Sequence, residues 1–281
     1  MLSFFVTWLI ACSQINPFAT ALYPPIGAPA TPALSPQASS LLVAAAASLQ
    51  KALQEITKNP PQDDSTSKIN GEINERINAN INYNFAASGV LQQQIEQGAP
   101  VDVFISASEK QIIALEKKGL LVAGTKQNLL TNRLVLIVPK QSKILLTNFQ
   151  QLVNPQVQRI AITEPRIVPA GQYASEVLQN LGILEQVRSK FVYGNNVKSV
   201  LTTVETGDVD AGFVYSSDAK GSDKIIVVAT ADEKLHSPIR YPIAILRSTN
   251  APELSKKYVE LLKSDPAKAV FEKYGFGIAQ N

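Results

Sequence analysis

INYNFAASGVLQQQIEQGAPVDVFISA, residues 81–107, reads as one complete strand-helix-strand unit. Ile81 to Phe85 alternates apolar and polar side chains, the period of a strand with one buried face, and Val90 to Gln97 sets Leu91 four residues before Ile95, as a helix requires. Gly98 is a helix stop, and Val101 to Ile105 is a second strand. Between the first strand and the helix stand only small and hydroxyl residues, Ala86-Ala87-Ser88-Gly89. A helix start leaves unpaired N–H groups and the positive end of the macrodipole facing outward. Such a junction therefore binds an oxyanion without a charged side chain.

The same junction recurs elsewhere. Ala46-Ala47-Ser48 ends the run Leu41 to Ala47, Val168-Pro169-Ala170-Gly171 follows the strand Ile160 to Thr163, and Asn195-Asn196-Val197 follows Phe191 to Tyr193. Helices are predicted over 49–57, 109–118, 171–181 and 197–206, with Gly119, Gly182 and Gly207 as stops for the last three. Strands are predicted over 133–139, 211–215, 225–229 and 239–246, and a closing helix over 252–263. This alternation argues for an α/β fold with open, mostly parallel sheets flanked by helices. Ligands in such folds sit at the carboxyl ends of the strands, where the four junctions lie.

The chain has 281 residues, 45% apolar and 17% charged, enough to bury a full core in two domains. Its 26 basic and 23 acidic residues leave a net charge of +3 with no long basic run, so nucleic acid is not an expected partner. One His and one Cys are too few for the common zinc or copper cages, which need three or four such ligands. Oxygen and backbone groups are left to do the chemistry.

Residues 1–12 read as an export segment, because Met1 to Ala11 is apolar yet shorter than the ~20 residues of a membrane span. Leu9-Ile10-Ala11-Cys12 looks like a bacterial lipobox, which marks Cys12 as a possible lipidation site. Residues 13–40 hold Pro17, Pro24, Pro25, Pro29, Pro32 and Pro36 among Ala, Ser and Thr, the composition of an extended tether. Lys58 to Ser67 is a polar loop. A soluble folded part is expected beyond the tether.

Read in order, the stretches Ala44 to Leu49, Phe85 to Gly89 and Gln94 to Ala107 resemble the bacterial molybdate-binding proteins of ABC importers. Glu164 to Ala174, Phe213 to Ala219 and Lys273 to Phe276 extend the resemblance, which covers about Leu41 to Ile278. It implies a two-lobed periplasmic-binding-protein-like fold of type II, closing over one tetrahedral oxyanion, molybdate or tungstate. Lobe one would be 41–131 plus 240–281, and lobe two 132–239. The ligand set it implies is the hydroxyls of Ser48, Ser88 and Tyr215 with the backbone N–H groups of Ala170 and Val197. It also implies a monomeric, non-enzymatic periplasmic protein without a cofactor, delivering its oxyanion to a membrane permease and its ATPase. Two departures are visible. Ala87 and Gly89 stand where relatives often have more Ser, and Asn195-Asn196-Val197-Lys198 replaces an acidic residue and Arg often seen there.

Elementary chemistry agrees with such a site. A dianion stripped of water needs charge-assisted hydrogen bonds, and a site of donors only leaves the proton of a hydrogen oxyanion unpaired, at about 1–3 kcal/mol. Simpler readings exist for each residue. Ser48 and Ser88 suit helix N-caps, Ala170 and Val197 ordinary first-turn positions, Tyr215 a half-buried core aromatic, and Arg166 and Lys198 solvated surface charges. Among other functions, a serine hydrolase would need Ser48 or Ser88 beside His236, but no Gly-x-Ser-x-Gly elbow is present. A ligand-sensing regulator would carry a DNA-binding segment. A binding protein for another oxyanion, such as sulphate, is the remaining alternative.

Overall fold

The computed structural model describes residues 40–58 and 79–280. The export segment, Cys12, the tether up to residue 39 and nearly all of the loop after Lys58 lie outside the described residues.

Strands β1 (Ser40–Ala46), β2 (Asn80–Ala86), β3 (Val103–Ile105), β4 (Gln127–Thr131), β10 (Arg240–Ile245) and β11 (Gly277–Ile278) form a six-stranded sheet in the order β11-β4-β10-β3-β1-β2. Strands β5 (Leu134–Pro139), β6 (Ile160–Thr163), β7 (Phe191–Gly194), β8 (Ala211–Tyr215) and β9 (Ile225–Thr230) form a five-stranded sheet in the order β7-β6-β8-β5-β9. Helices α1 (Gln50–Thr57), α2 (Ser88–Glu96), α3 (Glu109–Lys117), α4 (Pro169–Asn180), α5 (Val197–Glu205), α6 (Pro252–Leu262) and α7 (Asp265–Lys273) flank them. The α/β architecture with two sheets is the expected one, and Gly98 and Gly119 end their helices at positive φ of 90° and 68°.

The sheets are mixed rather than mostly parallel. Parallel pairing holds for β1 with β2 and β3, and for β6 with β7 and β8. Antiparallel pairing holds for β10 with β3 and β4, and for β5 with β8 and β9. The reason is the way the chain passes between sheets. It leaves β4 through Asn132 and Arg133 to start β5, and returns from β9 to start β10, the two passages joined by Asn132 N–H to Ile239 O at 3.3 Å. A strand that begins at the junction of the sheets must run opposite to the strands that end there.

The apolar patterning accounts for the packing. Leu41, Val43 and Ala45 on one face of β1 and Ala44 and Ala46 on the other are buried, as expected of a strand covered on both faces. Helix α1 turns Leu53 and Ile56 inward at 0% exposure, each contributing about 1.5–3 kcal/mol by burial. Two elements have weaker sequence signals and emerge only in the structure. Strand β4 is only five residues long, and α7 starts from Ser264, whose hydroxyl accepts the Ala267 N–H at 3.4 Å.

Candidate oxyanion site

The carboxyl ends of β1, β2 and β8 and the starts of α2, α4 and α5 surround one small cavity. Its walls include Ser48, Ser88, Val197 and Tyr215, with Val168 and Pro169 completing one side. Ala170 does not itself line the cavity, standing one residue behind Pro169 at 1% exposure. All four sequence junctions thus converge. The cavity volume is about 10 Å³, on the order of a single water, whereas pockets for organic ligands run to roughly 300–1,000 Å³, so nothing of organic size is accommodated. Asn196 and the alanines 46, 47, 86, 87 and 107 supply the remaining surface, and alanine side chains are short enough to let a guest reach the backbone amides.

Neither serine is a helix cap. The starts of α1 and α2 have no side-chain cap bond, and the hydroxyls have other partners. Ser48 Oγ lies 2.9 Å from the Tyr241 hydroxyl, and Ser88 Oγ accepts the Ala107 N–H at 3.0 Å. An amide N–H can only donate, so the Ser88 proton remains free for an acceptor in the cavity. His236, by contrast, has Nδ1 2.8 Å from Ser237 O and its ring edge against Tyr173, so it pairs with neither serine.

The helix ends deliver the backbone donors selectively. In α5 the Asn196 side chain accepts the N–H groups of Lys198 and Ser199 at 2.9 and 3.1 Å, while Ser199 Oγ accepts the Asn196 N–H at 3.3 Å. This capping box consumes the second and third donors of the helix and leaves that of Val197 to the cavity. In α4 Pro169 occupies the first turn and has no N–H, so Ala170 carries the first donor of that helix. Each helix therefore presents one N–H beside a wall residue of the cavity.

Tyr215 is not the half-buried aromatic that its strand position suggests. It is 1% exposed, and among the described residues its hydroxyl oxygen has no hydrogen-bond partner. Burial, with the neighbouring Tyr241, Tyr173 and Asp218, pushes its pKa well above the usual phenol value. The phenol stays protonated and is a donor. A buried hydroxyl without an acceptor costs about 1–3 kcal/mol, which makes it a strong indication of a ligand position.

Two residues near this wall carry charge. Asp218 is 5% exposed and neither carboxylate oxygen accepts a hydrogen bond among the described residues. Burial pushes its pKa up to about 6, against the opposing pull of Lys198 and Lys51. Lys198 is not a solvated surface charge, since burial lowers its pKa while Asp218 raises it. Arg166 is exposed and paired with Glu164 at 3.1 Å.

The elevated Asp218 pKa has a testable sign. A carboxyl whose folded pKa exceeds its unfolded value favours folding most below the unfolded value, and that advantage is lost as pH rises through the folded one. Between pH 3.8 and about 6 the group becomes progressively more costly, reaching about 3 kcal/mol above that window. Asp218→Asn is expected to raise the melting temperature at pH 8 and to leave it unchanged at pH 3.5. Equal shifts at both pH values would show that the charge is not the source.

Four residues near the site carried little or no individual signal. Ala107 and Asp218 fall inside quoted stretches without a distinguishing feature, and Tyr241 looks like any aromatic of an apolar strand. Asn132 offers a faint clue, because it interrupts the apolar run from Leu129 to Val138.

Known proteins resemble this chain in sequence and structure over most of its length. The family model of bacterial extracellular solute-binding proteins matches residues 41–277. A putative ABC transporter substrate-binding lipoprotein of Bacillus subtilis is 40% identical over 84% of this chain and 86% of its own length. The molybdate-binding protein of Haemophilus influenzae is 33% identical over 85% of this chain and 90% of its own. Among solved structures, the substrate-binding domain of a putative molybdenum ABC transporter from Clostridium difficile is 40% identical, with a TM-score of 0.64, over 86% of this chain and all of that one.

Proposed function

This chain belongs to the bacterial extracellular solute-binding proteins, and we propose that it captures molybdate, with tungstate as a further ligand, outside the cytoplasm for an ABC importer. The observation that carries the reading is the Tyr215 hydroxyl, buried, protonated and without a partner, in the same small cavity as Ser48, Ser88 and Val197. The relatives named as binding molybdate or molybdenum support the choice of oxyanion.

The binding set is Ser48, Ser88 and Tyr215 through hydroxyls and Ala170 and Val197 through backbone N–H groups. Residues 41–131 with 240–281 form one lobe and 132–239 the other. The oxyanion bridges donors from both and favours the closed arrangement by its higher affinity for it. No bond is made or broken. The protein acts as a monomer without a cofactor and presents its loaded form to a permease driven by a cytoplasmic ATPase. Cys12, if lipidated after export, anchors it to the membrane through the tether.

The chemistry sets the selectivity. Every inward group is a donor, so a fully deprotonated oxyanion satisfies the site, while a hydrogen phosphate leaves its own proton unmatched at about 1–3 kcal/mol. Thermal unfolding of the protein with molybdate, tungstate, sulphate and phosphate tests this directly. A ligand at 1,000 times its dissociation constant adds about 4 kcal/mol. Large shifts with molybdate and tungstate alone are expected. A shift with sulphate in their place changes the assigned solute, and no shift with any anion removes the oxyanion site.

A further inference from the structure

Ser48 is an ambiguous donor on distance alone, since either it or Tyr241 could give the proton between them at 2.9 Å. The ambiguity resolves further along the chain of contacts. Arg133 N–H lies 2.9 Å from the Asn132 side-chain oxygen, and an amide N–H can only donate, so that atom is the carbonyl Oδ1. The Ser216 hydroxyl donates to the same oxygen at 2.9 Å. Nδ2 of Asn132 therefore faces the other way. It donates to Ser217 Oγ at 2.8 Å and to the Tyr241 hydroxyl oxygen at 3.2 Å.

We infer that Asn132 and Tyr241 are positioning residues that turn the Ser48 hydroxyl proton into the oxyanion cavity. Among the described residues the hydrogen-bond partners of the Tyr241 hydroxyl are Asn132 Nδ2, which can only donate, and Ser48 Oγ, so Ser48 Oγ is the acceptor that the buried Tyr241 proton meets. Ser48, having accepted there, is left with its proton pointing to the remaining acceptor, the guest. The relay is rigid. Tyr241 is 0% exposed and is held edge-on against Tyr215 at 5.9 Å and Phe276 at 5.5 Å. Asn132 sits where the chain passes from one sheet to the other, tied by its own N–H to Ile239 O at 3.3 Å.

Selectivity against protonated oxyanions at Ser48 thus originates two residues away. With both relay members in place the Ser48 proton is aimed at the guest, so a guest O–H on that side meets a donor rather than an acceptor. Ser88 reaches the same condition by a shorter route, through the Ala107 N–H at 3.0 Å. The inference deepens the molybdate reading and rests on it.

Asn132→Asp reverses the relay, because a carboxylate accepts from Tyr241, Tyr241 then accepts from Ser48, and lone pairs of Ser48 face the guest. The test is titration calorimetry with sodium molybdate on the wild type, N132D, Y241F and the N132D/Y241F double variant, with unliganded melting temperatures measured alongside. N132D is expected to bind at least about tenfold more weakly, and Y241F only about threefold more weakly. The double variant is expected to match Y241F, because the reversal travels through the Tyr241 hydroxyl. An equal N132D loss with and without that hydroxyl, or no loss in either background, overturns the relay while leaving the molybdate reading intact. A wild type that fails to bind molybdate overturns that reading and the relay with it. Should N132D not fold, Y241F decides alone. Its ratio of molybdate to phosphate affinity at pH 7 is expected to fall at least about fivefold, since Ser48 regains the freedom to accept. An unchanged ratio refutes the assignment.

Discussion

Gly89→Ala is expected to fold at least as stably as the parent and to bind molybdate at least about 100-fold more weakly. Gly89 lies in the first turn of α2, where alanine is the better helix former by about 0.5–1 kcal/mol. Locally the substitution is favourable. Across the cleft it is not. The Gly89 N–H donates to Ile167 O at 3.1 Å, and a Cβ at position 89 would stand 2.2 Å from that oxygen and 3.0 Å from its carbon. Ile167 belongs to the segment leading into α4, which carries the Ala170 donor, whereas α2 carries Ser88. Relieving the contact means moving the two helix starts apart by about 1 Å, enough to take hydrogen bonds of 2.9 Å beyond their useful range. Calorimetry measures the affinity, and small-angle scattering is expected to show no contraction on adding molybdate. A parent-like affinity would mean that the two helix starts need not approach so closely. The glycine, read in the sequence as a small junction residue and as a departure from relatives, is thus the residue that permits contact between the groups attached to the two sheets.

Tyr215→Phe is expected to produce the opposite trade in a single atom. Removing a buried hydroxyl that has no partner relieves about 1–3 kcal/mol, so the unliganded variant melts at a higher temperature than the wild type. The same change deletes a donor to a dianion, a charge-assisted bond of about 1.5–3 kcal/mol, or roughly 10- to 150-fold in affinity. Because burial holds the phenol pKa well above its usual value, the loss should be independent of pH from 5 to 9. Differential scanning calorimetry with and without molybdate reads both effects at once. A variant less stable than the wild type, with unchanged affinity, would return Tyr215 to the role of a core aromatic. Groups that cost stability while they contribute binding are a recurring feature of functional sites.

Much of the fold is legible in local pattern. The period of Ile81 to Phe85, the helical spacing of Leu91 and Ile95 and the stop at Gly98 are each contained within one short segment of chain, and the structure reproduces each of them. The mixed pairing of the sheets was not legible. Whether β5 runs with or against β8 depends on which end of the sheet the chain enters after Arg133, and no side chain of β5 records that. Lys198 shows the same limit. Its sequence neighbours give no sign of a partner, but its environment is set by burial and by Asp218, twenty residues away and brought near by the fold.

Local sequence pattern specifies the units: alternating strands and helices, small residues at the junctions, and the hydroxyls of Ser48, Ser88 and Tyr215 at strand ends. These follow from periodicity and from the steric and hydrogen-bonding properties of single residues, which act over one or two turns of chain. What those groups do is set by contacts between distant parts of the chain. Ser48 meets Tyr241 across 193 residues, Gly89 meets Ile167 across the cleft, and the Tyr215 hydroxyl is left without an acceptor. The direction in which a hydroxyl points its proton is a property of its neighbours, and neighbours are assigned by packing.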